Sequence, residues 1–121
     1  MQTGAYFMSE EAEKAAKWEM VEEYQRMKNE AARIRNELKK TGDSLEQFGR
    51  LLANGVVVFK EQGGRIIGNL PDVGNPDGIT VSIPTEHLNA AYVLGLISRL
   101  NEVQTRRNEL LASLKEIGIE L

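Results

Sequence analysis

The sequence predicts an α+β chain, mostly α, in which two long helices form an antiparallel coiled-coil hairpin around an inserted short helix and a small antiparallel sheet of about three strands. Three observations predict it. Apolar residues recur at alternating spacings of four and three in both the N-terminal and the C-terminal parts of the chain. All three prolines fall between them, at Pro71, Pro76 and Pro84. Short β-branched runs share that middle stretch with the glycine pairs and turn residues that close hairpins.

The first long helix is expected over 9–41, after a tail of residues 1–8. Ser9 is an N-cap residue, and Glu10, Glu11 and Glu13 suit the positive end of the helix dipole. Met20, Tyr24, Met27, Ala31, Ile34 and Leu38 form its seam. Glu10/Lys14, Glu13/Lys17 and Glu22/Arg26 stand at i,i+4 with the acid first, the supportive order. Lys39, Lys40 and Gly42 supply the signals of a helix end.

A short helix is expected over 44–53, because Ser44-Leu45-Glu46-Gln47 reads as a capping box and Leu45, Phe48, Leu51 and Leu52 as an apolar stripe. Leu45, Phe48 and Leu52 also stay in phase with the first seam, so one helix bent at Gly42 is the alternative. The β insertion is expected over 55–83. Val56-Val57-Val58-Phe59 and Arg65-Ile66-Ile67 flank Gly63-Gly64 as a hairpin, Asn75-Pro76-Asp77-Gly78 is a turn signal, and Ile79 to Ile83 alternates as a third strand. The order helix, hairpin, helix, with Val57-Val58-Phe59-Lys60 leading to Gly63-Gly64, resembles that of prefoldin-type chaperone subunits.

The last helix is expected over 85–117, capped by Thr85, with the seam Val93, Leu96, Leu100, Val103, Arg107, Leu110, Leu114 and Ile117. Arg107 is its one charged member, able to fix register or to snorkel outward. Gly118 ends the helix before the tail 118–121. From Leu88 to Leu100 the pattern is apolar on nearly every face, more than one partner helix can bury. The prediction is therefore self-association, as a dimer or higher homo-oligomer, through Leu45, Phe48, Leu88, Tyr92, Leu94, Leu96 and Ile97. Trp18 lies off the seam beside Val21 and is expected to be core.

Composition narrows the function classes. A chain of 121 residues, 41% hydrophobic and 27% charged, is one domain and well outside the disordered regime. It contains no cysteine and one histidine, His87, which removes disulfides, thiolate metal sites, cysteine nucleophiles and multi-histidine metal sites. No stretch reaches the ~18 apolar residues of a membrane span, and the N-terminus lacks signal-peptide features, so a cytoplasmic protein away from the membrane is expected. A net charge of −3 argues against duplex nucleic acid as the partner.

Four constellations bear on chemistry. Gly63-Gly64-Arg65-Ile66-Ile67-Gly68 lacks the Lys-Ser/Thr of a phosphate loop and continues into strand, which favours a hairpin. Asp72, Asn75, Asp77 and Gly78 miss the register of a calcium loop, so no metal is predicted. His87, in the first turn of the last helix, reads as a half-exposed polar residue rather than a catalytic base, and no catalytic residue is predicted. Between residues 33 and 65 seven cations (Arg33, Arg35, Lys39, Lys40, Arg50, Lys60, Arg65) face four acids (Glu37, Asp43, Glu46, Glu61). The leading function is thus a non-enzymatic, self-associating coiled-coil protein that binds another macromolecule, as adaptor, assembly factor, inhibitor or small chaperone. The alternative is a binder of a small anionic ligand, such as a nucleotide, through Arg50, Lys60, Gly63, Gly64 and Arg65 at a subunit interface. No cofactor is implied.

Overall fold

The structure, a computed structural model, describes residues 10–55 and 59–121. The tail 1–8, the cap at Ser9 and the Val56-Val57-Val58 run lie outside the described residues. The fold is α+β: α1 (Glu10–Ala53), β1 (Phe59–Gln62), β2 (Arg65–Asp72), β3 (Asn75–Pro84), a 3₁₀ turn (Thr85–Leu88) and α2 (Ala90–Glu116). The strands form one antiparallel sheet in the order β1-β2-β3. Among the described residues no helix is long and apolar enough to cross a membrane. Contacts divide the chain into two compact units, one of residues through Arg33 with Arg99–Leu121, the other Ile34–Ser98.

In the first unit the core is Tyr24, Leu110 and Leu114, with Met20, Val21, Met27, Leu111 and Ile119 packed against it. Arg106 donates through Nε and Nη2 to the two carboxylate oxygens of Glu23, at 2.7 and 3.0 Å, a bidentate pair that fixes orientation as well as charge. α2 closes with Gly118 at φ 84°, Gly118 N–H donating to the Lys115 carbonyl and Ile119 N–H to the Leu114 carbonyl. That is a Schellman motif, and it folds Ile119 back onto the core next to Leu114. Ile117, placed on the seam by its spacing, lies past the last helical residue and is exposed. Trp18 is exposed rather than core, since the packed face of α1 here is the one through Met20, Tyr24 and Met27.

In the second unit α1 runs on without a break at Gly42, so the separate helices 9–41 and 44–53 are one element. A mid-helix glycine costs about 1 kcal/mol but does not by itself stop a helix. Ser44 does not cap, because its hydroxyl is engaged with His87. The buried residues of this stretch are Ile34, Thr41, Ser44 and Leu51, while Leu45 and Leu52 face outward. Leu51 packs on Val81 and Ile83 of β3, with Phe48, Leu70 and Leu88 completing the cluster.

The first hairpin turns at Gly63-Gly64, whose φ angles of 60° and 73° match a type I′ turn between Gln62 and Arg65. The second turn is Val73-Gly74, between the paired Asp72 and Asn75. The Asn75-Pro76-Asp77-Gly78 signal therefore lies in β3 and not in the turn. Pairing jumps from Leu70↔Ile79 to Asp72↔Asn75, which leaves Pro76, Asp77 and Gly78 opposite Pro71 alone. Positive φ at Gly78 serves this bulge, and Asn75 Oδ1 accepts from Asp77 N–H within it. At the end of β3 the N–H and hydroxyl of Thr85 both donate to the Gly64 carbonyl. Thr85 is thereby taken up by the hairpin, and Asn89 caps α2 instead, its Oδ1 accepting from Ala91 N–H at 2.9 Å.

Candidate functional site

The site lies in the second unit, where the 3₁₀ turn and the first turns of α2 meet α1. His87 is buried, 7% exposed, and its Nδ1 stands 2.7 Å from the Ser44 hydroxyl, itself 9% exposed. The ring of Tyr92 stacks on the imidazole with centroids 6.1 Å apart and planes 24° from parallel. Ser44 Oγ has no other hydrogen-bond partner among the described residues. If the hydroxyl donates to Nδ1, its proton is satisfied and the imidazole carries its own on Nε2; the reverse direction strands the hydroxyl proton in a buried place. The half-exposed histidine expected from sequence is thus a buried one, and Ser44 is the residue that sequence reasoning missed. Nothing in the spacing of Ser44 and His87 signals their pairing.

Beside this pair lies a hollow of about 350 Å³ lined by Leu45, His87, Leu88, Asn89, Ala90, Val93 and Leu94. Its walls are aliphatic apart from His87 and Asn89. Leu45 is 45% exposed at its rim and Leu94 64%, with Ile97 at 42% one turn further along the same helix. The other residues expected at an interface divide: Phe48 and Leu88 belong to the core under β3, Tyr92 covers His87, and Leu96 is half-buried. An arrangement of this kind can hold apolar groups against one buried imidazole. Acyl-transfer chemistry would need the serine oxygen within reach of a substrate, and here that oxygen is buried on α1.

The residues expected to bind an anion are placed separately. Arg50 pairs with Glu46 at 2.8 Å, one helical turn away. Arg65 donates to the Ser82 hydroxyl at 2.6 Å and to the Ser82 carbonyl at 3.1 Å. Gly63 and Gly64 make the hairpin turn. Lys60 lines a different hollow, of about 290 Å³, with Ile67, Gly68, Asn69 and Thr80. There Asn69 donates to the Asp77 carbonyl, while its buried Oδ1 lacks a hydrogen-bond partner and lies against Gly78. Among the described residues no group of three histidine, aspartate or glutamate side chains is gathered as a metal site would require.

No protein-family model, curated protein or solved structure matches this chain.

Proposed function

We propose that this chain is an interaction protein, not an enzyme, that associates with a second copy of itself through the N-terminal half of α2 and then binds another macromolecule as adaptor, assembly factor, inhibitor or small chaperone. One observation carries the reading: Leu45 and Leu94 are exposed around an aliphatic hollow, and Ile97 is exposed one turn further along α2. The run Leu88 to Ser98, which supplies most of that surface, has no charged residue in a chain that is 27% charged. Fully covering one leucine is worth roughly 1.5–3 kcal/mol. A second copy brings an equally uncharged face and a leucine able to enter the hollow, as a two-fold interface requires.

The first unit supports the coiled-coil part of the reading. Glu23 pairs with Arg106, and Tyr24 packs with Leu110 and Leu114. Residues 26–33 of α1 share a hollow with Arg99, and Glu23 pairs with Arg106, so α1 numbers fall as α2 numbers rise, as in an antiparallel pair. The test is sedimentation velocity of the wild type and of Leu94→Asp across a wide concentration range. Self-association in the wild type that the substitution abolishes supports the proposal, and a wild type that stays monomeric refutes it.

A further inference from the structure

A second hollow, of about 500 Å³, lies in the first unit and is lined by Arg26, Met27, Asn29, Glu30, Arg33 and Arg99. Arg26, Asn29, Glu30 and Arg33 come from one face of α1, and Arg99 from the first residue of α2 in this unit. Arg33 donates through Nε and Nη2 to both oxygens of Glu30, at 3.0 and 2.8 Å. That hydrogen bonding, opposed by some desolvation and helped by the positive charges of Arg33 and Arg99, holds the Glu30 carboxyl below the ordinary glutamate range. Glu30 therefore stays ionised and offsets one guanidinium.

The lining itself carries three guanidiniums and one carboxylate, a local excess of cations. The whole chain has the opposite balance, 15 basic against 18 acidic residues. Arg99 reaches Glu102 at 3.4 Å, an exposed contact of the kind worth ~0–1 kcal/mol, so little is lost when it turns to another anion. Guanidinium forks match phosphate oxygens two at a time, and the Asn29 amide adds a neutral donor.

We propose that this hollow binds a compact anion of two or more negative charges, a phosphate or pyrophosphate group, held by Arg26, Arg33 and Arg99. The inference is independent of self-association and places the anion away from the glycine-rich hairpin. The shared chemistry is the phosphate, and its source, free or attached to a nucleoside, is what the ligand arms separate.

The experiment is calorimetric titration of the full chain with inorganic pyrophosphate and, separately, with ADP, repeated for Arg26→Gln, Arg99→Gln and Arg65→Gln. All three arginines are exposed, and circular dichroism checks that each variant keeps its helix content. The expected result is saturable binding of pyrophosphate that weakens as salt rises. It should weaken about ten-fold or more in Arg26→Gln and in Arg99→Gln, and stay unchanged in Arg65→Gln. Tighter binding of ADP than of pyrophosphate assigns the phosphate to a nucleotide, and equal or weaker binding assigns it to the free anion. Absence of saturable binding to either ligand, or wild-type binding in both Arg26→Gln and Arg99→Gln, overturns the proposal.

Discussion

Ser44 Oγ and His87 Nδ1 stand 2.7 Å apart across 43 positions of sequence, tying α1 to the 3₁₀ turn that precedes α2. Both side chains are buried, so neither can exchange its partner for water. Ser44→Ala should cost about 1–2 kcal/mol in urea unfolding, because it leaves an imidazole nitrogen unpaired in the interior. Replacing both residues, as Ser44→Ala with His87→Phe, should cost less than the sum of the single changes. Additive losses would show that the two groups do not interact.

Leu51 and Leu52 are adjacent in sequence and opposite in exposure. Leu51→Ala should lose about 2–5 kcal/mol of stability, since it opens a cavity against Val81 and Ile83. Leu52→Ala should stay within roughly 0.5 kcal/mol, as surface changes do. Chemical denaturation of the two variants side by side checks both.

This pair also shows how far the sequence can be read. The α+β composition, the two helices and the three antiparallel strands were legible, because heptad spacing and alternation report directly on period. Continuing the heptad into Leu45 and Leu52 assumed that α1 meets one kind of partner along its length. It does not: Leu51 meets β3 and Ser44 meets His87, so the buried face turns by one residue, about 100° at 3.6 residues per turn. The turn expected at Asn75 to Gly78 is instead a bulge, because glycine's access to positive φ at Gly78 serves a bulge as well as a turn. Of the candidate site, the exposed Leu94 and Ile97 could be named from the uncharged run and Leu45 from the apolar stripe of 44–53, whereas the Ser44–His87 contact joins distant parts of the chain and leaves no periodic trace.

Gly78 and Gly74 should respond differently to alanine. At Gly78 φ is 76°, and a Cβ would lie 2.5 Å from Asn69 Oδ1 and 2.9 Å from the Leu70 carbonyl, a backbone atom that cannot swing away. Gly78→Ala should cost more than the ~1–2 kcal/mol of left-handed backbone alone. At Gly74 the nearest atom is the mobile Asp72 Oδ2 at 3.6 Å, so Gly74→Ala should be close to neutral. Thermal unfolding of both variants gives the comparison.

Acid should weaken the link between Glu23 and Arg106. Hydrogen bonding from Arg106 is the largest influence on the Glu23 carboxyl; together with the positive charges of Arg106 and Arg26 it exceeds the opposing desolvation and sets the group below its ordinary value of 4.5. A carboxyl depressed in the folded state stabilises fully above its unfolded value and loses that contribution as pH falls through the folded one. The coupling between Glu23→Gln and Arg106→Gln should therefore be measurable at neutral pH and fade as pH drops below about 4.5. A coupling that grows on acidification would contradict the arrangement.

We propose that the uncharged face of α2 is covered by a second copy of the chain. Sedimentation velocity from low micromolar to near-millimolar protein tests it most directly, with Leu94→Asp run beside the wild type. Self-association predicts a weight-average sedimentation coefficient that climbs with concentration in the wild type and stays at the monomer value in the variant. A wild type that remains monomeric throughout, or a variant that associates as the wild type does, would contradict it.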